Sequence, residues 1–288
     1  MPRLYVVATP IGNLQDLAPR ALETLRNVSF IAAEDTRVTM KLCQVFDIHT
    51  PLVSCHMHNE ESKGAELAER MIRDQADAAL VTDAGTPCVS DPGHLFVRAC
   101  TQRGIEVLPV PGPVACAAAL SVSGMECREW KFYGFLPREK KELRDALLRM
   151  PAETGIALVH ESPYRVLALM EQILEVLPES LVSVSCDLTK LHELTLRGSV
   201  QEVLEQMRNN PKTEKGEYCL VLDVRACRVP EKKTEQELSV ELQLLQCIMD
   251  GKTLREAQEY LTESGLRKNQ VKSAALNVKK RLLEDEVW

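Results

Sequence analysis

Short apolar runs alternate with segments of helical periodicity through the first part of the chain. The runs that have the length and residue types of buried strands lie at residues 4–8, 28–32, 78–82 and 105–110. Between them, residues 19–26 and 64–73 place their apolar positions at the spacing of a helix. Strands that alternate with helices are typical of α/β folds with a largely parallel sheet. We therefore predict an N-terminal α/β domain over residues 1–120.

The alternation of apolar runs and helical segments is interrupted at residues 124–137, and a second alternation follows. Apolar runs at residues 156–160, 182–186 and 218–222 have the composition of strands, and residues 164–177 have the spacing of a long helix. This pattern predicts a second α/β domain over residues 121–228. A polar stretch at residues 229–237 suits a linker. The purely helical pattern beyond it predicts a small helical domain over residues 237–288.

One helical segment differs in charge from the rest of the protein. The chain as a whole is acidic, with a formal net charge of -7, but residues 264–283 contain no acidic side chain. In this segment Val271, Ala275, Val278 and Leu282 share one apolar stripe, and the lysines lie mostly off it. Such lysines form either an ordinary solvated face or a contact with RNA phosphates, and the one-sided sign favours RNA. The predicted RNA-binding lysines are Lys268, Lys272, Lys279 and Lys280.

Composition and missing motifs exclude several classes of protein. The ten cysteines are scattered without a CxxC pair, which predicts free thiols in a reducing cytoplasm and no metal site. No secretory leader pattern stands at the first residues, and no apolar run has the length of a membrane span. The chain also lacks GxGxxG, GxxxxGK[ST] and GxSxG motifs. We expect a cytoplasmic protein that holds its ligand with less common loops.

Three turn-rich loops follow predicted strands, at residues 8–14, 82–93 and 109–119. Open α/β sheets bind ligands at the carboxyl ends of their strands, so the shared position of these loops indicates a binding site. The second loop contains Asp83 and Asp91, and an ordinary strand-to-helix connection with Asp91 near a helix start remains the alternative. In the third loop, small side chains suit either a ligand against the backbone or close packing of a helix on a sheet.

Ionisable residues follow three other predicted strands. These clusters read EDTR at residues 34–37, HESPYR at residues 160–165 and DLTKLHE at residues 187–193. Their side chains either pair with one another or face a cleft between the two α/β domains. A helix cap by Ser162, with Pro163 in the first turn, would explain part of the second cluster without any function.

Taken together, seven motifs resemble the ribosomal RNA small-subunit methyltransferase I family, which belongs to the tetrapyrrole-methylase superfamily. The motifs are VVATPIGNL at residues 6–14, AEDTR at 33–37, DAGTP at 83–87 with SDPG at 90–93, PVPGP at 109–113, GFLP at 134–137, ESP at 161–163 and LTKLHE at 188–193. Each motif is weak alone, but their order and number span nearly the whole chain. The chain departs from the family pattern at Val114, Tyr164 and Asp187.

The resemblance implies a tetrapyrrole-methylase-like fold of two α/β domains, with S-adenosylmethionine in the cleft between them. It implies 2'-O-methylation of a cytidine in the decoding region of 16S ribosomal RNA, with the RNA or the small ribosomal subunit as partner. It also implies a homodimer and a helical C-terminal domain that helps to hold RNA. The residues that would contact the cofactor are Pro10, Ile11, Gly12, Asp83, Gly85, Thr86, Val89, Pro111, Gly112, Pro113 and Ala115.

A ribose 2'-hydroxyl is a poor nucleophile while it keeps its proton, so a nearby base would help the reaction. The candidate catalytic residues are Asp35, Glu161, Lys190 and Glu193. Lys190 could act only as the neutral amine, which requires a lowered pKa. Arg37 and Arg165 are predicted to grip phosphates of the RNA.

Two other functions are also consistent with the sequence. One is a methylase for a tetrapyrrole or another small molecule, although the turn at residues 9–13 is not the glycine-rich first turn typical of that branch. The other is a non-catalytic ribosome assembly factor that keeps a cofactor pocket. Transfer of label to ribosomal RNA would separate both from the first hypothesis.

Overall fold

A computed structural model describes residues 1–227 and 239–284, without the side chains of residues 280–284. By its contacts the chain divides into one unit over Met1–Cys227 and a second over Arg228–Trp288. The predicted linker at residues 229–237 lies outside the described residues. Along the described ranges, no helix is both long and apolar enough to cross a bilayer, and no three metal-ligating side chains cluster.

The first sheet of the large unit is parallel throughout and has the strand order β3-β2-β4-β1-β5. Its strands are β1 (Arg3–Val7), β2 (Phe30–Ala33), β3 (Leu52–Ser54), β4 (Ala78–Val81) and β5 (Glu106–Val110). Around it lie α1 (Pro19–Asn27), α2 (Thr36–Val45), α3 (Glu60–Asp74) and α4 (His94–Gln102). The four strands expected from apolar runs are present. The three residues of β3 are only half-buried, so they gave no comparable apolar signal.

Both faces of this sheet are covered, which is why the inner strands β2 and β4 are apolar at every position rather than at alternate ones. On one face, Leu4 and Phe30 pack with Leu67 of α3 and Phe96 of α4. On the other face, Val7, Ile31 and Val81 pack with residues of α1. All strands of a parallel sheet point in the same direction, so the loops after β1, β4 and β5 all emerge at its carboxyl edge.

The next helix, α5 (Ala115–Ser123), leaves the first sheet but packs against the second. Its buried side chains Cys116 and Ala119 contact Leu158 and Cys219 of that sheet. At the end of the helix, the Arg197 guanidinium donates hydrogen bonds of 2.6 and 2.8 Å to the carbonyl oxygen of Val122. The small side chains of this helix therefore permit close packing of helix on sheet, one of the two explanations that the sequence left open. The predicted domain boundary at residue 120 falls inside α5.

The second sheet is mixed, with the order β6-β7-β10-β8-β9. Its strands are β6 (Lys131–Phe135), β7 (Ile156–Glu161), β8 (Leu181–Cys186), β9 (Leu194–Ser199) and β10 (Tyr218–Asp223), and its helices are α6 (Lys140–Glu153), α7 (Val166–Val176) and α8 (Val200–Arg208). Only β6 and β7 run parallel. The edge strands β6 and β9 were not predicted, because exposed positions and a bulge near Gly134 interrupt their apolar patterns.

Ser162 does not cap helix α7, so the alternative explanation of the cluster after β7 by helix capping is wrong. Helix α7 begins at Val166, and its N-cap residue is Arg165. The Ser162 carbonyl oxygen accepts hydrogen bonds from the backbone N–H groups of Arg165 and Val166, both at 3.1 Å, so a turn separates the strand from the helix. This cluster after β7 therefore needs another explanation than helix capping.

Within residues 239–284, the described part of the second unit, there are three helices, α9 (Val240–Met249), α10 (Leu254–Glu263) and α11 (Lys268–Glu284). Its core residues are Leu244, Cys247, Ala257, Leu261, Val271, Ala274 and Ala275. Val271, Ala275 and Val278 are buried, as the predicted stripe on this helix requires, and the side chain of Leu282 lies outside the described part. Lys268, Lys272 and Lys279 are exposed, whereas nothing is described of the Lys280 side chain.

Candidate active site

The loops after β1, β4 and β5 form one continuous surface. The backbone of Thr9 exchanges two hydrogen bonds with that of Gly85, at 2.8 and 3.0 Å. The Thr86 hydroxyl donates a hydrogen bond of 3.0 Å to the carbonyl oxygen of Pro113. Three separate stretches of sequence are thus joined through backbone groups at the carboxyl edge of the first sheet.

Two glycines in these loops have a clear structural requirement. A Cβ atom on Gly112 would lie 2.7 Å from the Cβ of Ala8, which no real side chain tolerates. Gly85 has φ +85°, a conformation that favours glycine, and a Cβ there would lie 3.3 Å from Ile11 Cγ2. Glycine at these positions lets the loops approach one another closely.

The end of the loop over residues 82–93 is fixed by a buried carboxylate. Glu60 is 2% exposed, and its Oε1 accepts backbone hydrogen bonds from Gly93 at 2.9 Å, from Leu95 and from Phe96 at 3.3 Å. These N–H groups belong to the first turn of α4, where a helix has no partners of its own and favours negative charge. Glu60 thereby supplies the cap that no side chain of α4 provides.

A cavity of about 360 Å³ opens between the strand ends of the two sheets. Its volume lies within the range of about 300–1,000 Å³ that is usual for small-molecule sites. From the first sheet it is lined by Ile11, Ala84, Ser90, Asp91 and Ala115. From the second it is lined by Phe135, His160, Glu161, Ser162, Pro163, Leu188, Glu217, Tyr218 and Cys219.

Only Ile11 and Ala115 of the predicted cofactor residues line this cavity. The others, namely Pro10, Gly12, Asp83, Gly85, Thr86, Val89, Pro111, Gly112 and Pro113, lie in the same loops but outside its lining. The structure therefore brings the three predicted loops together and places the cavity beside them. Contact of the remaining residues with a cofactor stays a prediction.

Glu161 is the predicted catalytic residue that lines the cavity. Its side chain is fully buried, and Oε1 accepts a hydrogen bond of 2.7 Å from the backbone N–H of Ser162. Oε2 lies 3.3 Å from the Arg165 guanidinium but has no hydrogen-bond partner among the described residues. The buried Nε2 of neighbouring His160 also lacks one within that part of the chain. Buried polar atoms normally have partners, so both atoms suit a polar group of a bound ligand.

Arg165 is held by the protein rather than free for phosphate. Besides its approach to Glu161, its guanidinium donates to the carbonyl oxygens of Leu136 and Pro137, at 3.5 and 3.2 Å. These contacts tie the loop after β6 to the start of α7. The expectation that Arg165 grips RNA phosphate is therefore not supported by its geometry, and we assign it a role in positioning Glu161.

The structure contradicts a role for Lys190 as a neutral base. Its ammonium group lies 2.7 Å from Asp187 Oδ1 and 2.7 Å from Glu217 Oε2. Partial burial works against the charged form, but the hydrogen bonds to Asp187 and Glu217 outweigh it and raise the pKa of Lys190 above its ordinary value. Lys190 is thus a cation at neutral pH. Its stem packs on the first-sheet loop, where a Cβ on Gly12 would lie 2.5 Å from Lys190 Cγ.

Asp35 and Arg37 form a pair at the start of α2. The Asp35 carboxylate caps the helix through the Arg37 N–H and also accepts from the Arg37 guanidinium at 2.6 and 3.0 Å. These hydrogen bonds lower the pKa of Asp35 to about 2. A carboxylate that acidic is a weak proton acceptor, so Asp35 is poorly suited to be the base. Arg37 is exposed beyond the pair, and phosphate contact by it stays a prediction.

Glu193 lies in the exposed loop after β8 and does not line the cavity. Its Oε2 accepts a hydrogen bond of 2.9 Å from the backbone N–H of Thr189, whose φ is +66°. This bond stabilises an unfavourable backbone conformation in the loop that carries Lys190. The structure therefore indicates a structural contribution of Glu193, and its catalytic role stays untested.

Two carboxylates of the cavity wall, Asp91 and Glu217, were not among the predicted site residues. Glu217 precedes β10 by one residue, in a stretch without any recognisable motif. Asp91 belongs to the predicted ligand loop and to the SDPG motif, but it was not among the candidate site residues, and a place near a helix start was its alternative explanation. In the structure α4 begins at His94 with Gly93 as its N-cap, so Asp91 has no capping role. Its position after a glycine- and proline-rich turn was the available signal.

A family model for tetrapyrrole (corrin/porphyrin) methylases matches residues 3–204. The chain belongs to this class of methylases. Solved structures share the fold: a uroporphyrin-III C-methyltransferase from Thermus thermophilus has a TM-score of 0.52 at 19% identity, covering 78% of this chain and 96% of its own. A diphthine synthase has a TM-score of 0.58 at 12% identity, covering 76% and 89%. The predicted fold class is confirmed.

Sequence relatives narrow the assignment within that class. Ribosomal RNA small subunit methyltransferase I of Halalkalibacterium halodurans is 40% identical over 270 residues, which is 93% of this chain and 92% of the relative. The protein of the same name from Escherichia coli O157:H7 is 39% identical, covering 95% and 94%. The chain is a member of this methyltransferase family, which confirms the resemblance carried by the motifs.

Proposed function

We propose that this protein transfers a methyl group from S-adenosylmethionine to the ribose 2'-hydroxyl of a cytidine in the decoding region of 16S ribosomal RNA. The observation that carries the proposal is the likeness to the small-subunit methyltransferases along more than nine-tenths of the chain. The cavity between the strand ends of the two sheets supports it, since this is where open α/β sheets bind ligands.

The cavity residues fit the proposed cofactor. Ile11, Ala84 and Ala115 from the first sheet and Leu188 from the second offer apolar surface to a flat base and its ribose. Among the residues that line the cavity, Glu161 Oε2 and His160 Nε2 are buried and have no hydrogen-bond partner in the described chain. A carboxylate oxygen accepts hydrogen bonds from amino or hydroxyl groups, both of which the cofactor carries. When bound, the cofactor supplies an already activated methyl group.

The protein's own contribution is then to orient the ribose of the substrate and to exclude water from the site. Methyl transfer requires the attacking oxygen in line with the bond that breaks, so correct placement of the ribose accounts for much of the rate. Lys190 fixes Glu217 at the cavity, and Arg165 fixes Glu161. The exposed lysines of α11 would hold RNA phosphates. Contacts of this kind bind the RNA without distinguishing its base sequence.

The direct test is methyl transfer from labelled cofactor to small ribosomal subunits that lack the modification. We expect label at a single cytidine 2'-oxygen of 16S RNA, located by nuclease protection and by resistance of that linkage to alkali. Naked 16S RNA and assembled subunits are assayed side by side to identify the substrate. Label in a tetrapyrrole, or cofactor binding without any transfer to RNA, would refute the proposal.

We also propose that the protein is cytoplasmic and acts as a homodimer. The membership in a family whose named members modify ribosomal RNA supports the location. Light scattering at assay concentration tests the dimer, and a mass of about 32.2 kDa, that of one chain, would contradict it.

A further inference from the structure

Three carboxylates line the cavity, and their surroundings differ. Glu217 lies 2.7 Å from the Lys190 ammonium group. Glu161 accepts a backbone hydrogen bond and lies 3.3 Å from the Arg165 guanidinium. Both are thus held by a cation of the protein. Asp91 has neither a hydrogen bond nor an ion pair with any described residue, although it is partly buried.

The neighbourhood of Asp91 is acidic. Glu34 at the end of β2 and Asp83 after β4 act on it, and burial together with these two charges raises the pKa of Asp91 to about 6. The other titratable groups that face it are Cys88 in its own loop and, across the cavity, His160, Glu161 and Glu217. No cation compensates Asp91 among these neighbours. A carboxylate in such surroundings holds a proton more strongly than an ordinary aspartate.

The backbone on both sides of Asp91 is fixed. Glu60 binds the N–H groups that follow the loop, and a Cβ on Gly93 would lie 2.8 Å from Cys88 Sγ. The loop also begins at the Thr9 and Gly85 backbone pair. Asp91 is therefore presented to the cavity by a rigid loop, as a group that acts on a positioned substrate must be.

We propose that Asp91 is the catalytic base that accepts the proton of the ribose 2'-hydroxyl, an inference that rests on the proposed function. As the oxygen–carbon bond forms, the carbon–sulfur bond breaks and its electron pair stays on sulfur. The 2'-oxygen loses its proton to the Asp91 carboxylate, which becomes a neutral acid and later releases the proton to water. Atoms and charge balance without any further reactant.

Ordinary aspartates are too acidic to accept this proton effectively, and efficient bases titrate close to the working pH. Asp91 meets that condition, whereas Asp35 is more acidic than usual and Lys190 is cationic. Only the carboxylate form can act, so the rate should rise with pH through about 6 and level off above it. Two carboxyl-type groups with opposite shifts of pKa are a common sign of divided roles.

The experiment compares wild type with Asp91→Asn, Asp91→Glu and the control Asp74→Asn, an exposed position on α3. Single-turnover methyl transfer to the small subunit is measured from pH 5 to 8.5, cofactor affinity by calorimetry, and the Asp91 carboxyl titration by carbon NMR. We expect Asp91→Asn to lower the transfer rate by about 10²–10⁴-fold and to abolish the inflection near pH 6. Cofactor affinity should stay within about threefold, Asp91→Glu should recover part of the rate, and the control should behave as wild type.

Each other outcome is decisive. If Asp91→Asn keeps the rate and its pH inflection, or if its loss of rate is matched by an equal loss of cofactor affinity, Asp91 is not the base. An NMR titration near 4 in the wild type would also overturn the assignment. If the wild type itself transfers no methyl group to ribosomal RNA, the proposed function fails and the inference fails with it.

Discussion

The two walls of the cavity are built in different ways. The first-sheet wall consists of glycine- and proline-rich turns that contact one another through backbone groups, as at Thr9 and Gly85. The second-sheet wall carries carboxylates that are held by cations of the protein, as Glu161 is by Arg165 and Glu217 by Lys190. Backbone groups in stiff turns suit recognition of an invariant ligand by shape. Paired side chains suit alignment of a substrate. Substitutions on the first wall should therefore lower cofactor affinity, and substitutions on the second wall should lower the transfer rate.

The largest effect is expected at Gly112 on the first wall. Gly112→Val places a side chain where even a Cβ would be 2.7 Å from Ala8 Cβ, so the two loops must separate. Overpacking of this kind costs about 1–3 kcal/mol, and we expect cofactor affinity to fall by about 10- to 100-fold. Calorimetry measures the cofactor affinity, and Ala117→Val on the exposed side of α5 is the control that adds similar bulk. Unchanged affinity in a folded Gly112→Val protein would remove the first wall from the cofactor site.

A smaller effect is expected behind the same wall, at Glu60. Glu60→Ala leaves buried N–H groups at the start of α4 without their acceptor, which should lower the free energy of unfolding by about 2 kcal/mol. Glu60→Gln keeps one acceptor oxygen and should lose about half as much. Chemical denaturation gives both values. Equal stability of all three proteins would show that the loop end is not held by this carboxylate.

On the second wall, Lys190→Met should change turnover more than binding of the cofactor. The substitution keeps the apolar stem over Gly12 and removes the cation between Asp187 and Glu217. Because the pair is partly exposed, we expect a stability loss of only about 0.5–1 kcal/mol. We predict a severalfold lower transfer rate with unchanged cofactor affinity, and Lys190→Arg as partial rescue. If Lys190→Met lowered only the cofactor affinity and not the transfer rate, the two walls would not have these different roles.

The smallest effect concerns RNA contact outside both walls. Lys268→Ala and Lys272→Ala on α11 each remove one exposed cation that has no ion pair in the described residues. If each lysine contacts a phosphate, affinity for the small subunit should fall a fewfold. The slope of log affinity against log salt should then drop by about 1 for each change. Glu259→Gln on α10 is the control. A salt slope that matches wild type in the double variant would leave α11 without a role in RNA binding.

The sequence predicted the first wall far better than the second. Strand, turn and helix follow one another locally in residues 78–102, so apolar runs and turn residues sufficed to place a ligand loop at the carboxyl edge. The second sheet is mixed, and strand direction there depends on long-range pairing of β7, β8 and β10. Apolar periodicity does not report such pairing. Glu217 was invisible for that reason, since it reaches the cavity from the start of an antiparallel strand.

The charge states of Lys190 and Asp91 could not be predicted from the sequence either. Lys190 and Asp91 have ordinary residue types, and only their neighbours decide which of them carries a proton at neutral pH. Lys190 gains one carboxylate from its own loop, Asp187, and one from a distant segment, Glu217, whereas Asp91 has no ion pair with a described residue. A motif identifies where ionisable groups concentrate. It does not identify which of them acts as a base.

The placement of α5 makes the two sheets interdependent. Four residues separate this helix from β5, yet its buried side chains complete the core of the second sheet, so the chain passes from one core to the other within residues 111–114. Ile11 of the loop after β1 packs against the same core cluster as the helix. Four residues span at most about 14 Å when fully extended, so this connection limits how far the two walls of the cleft can move apart.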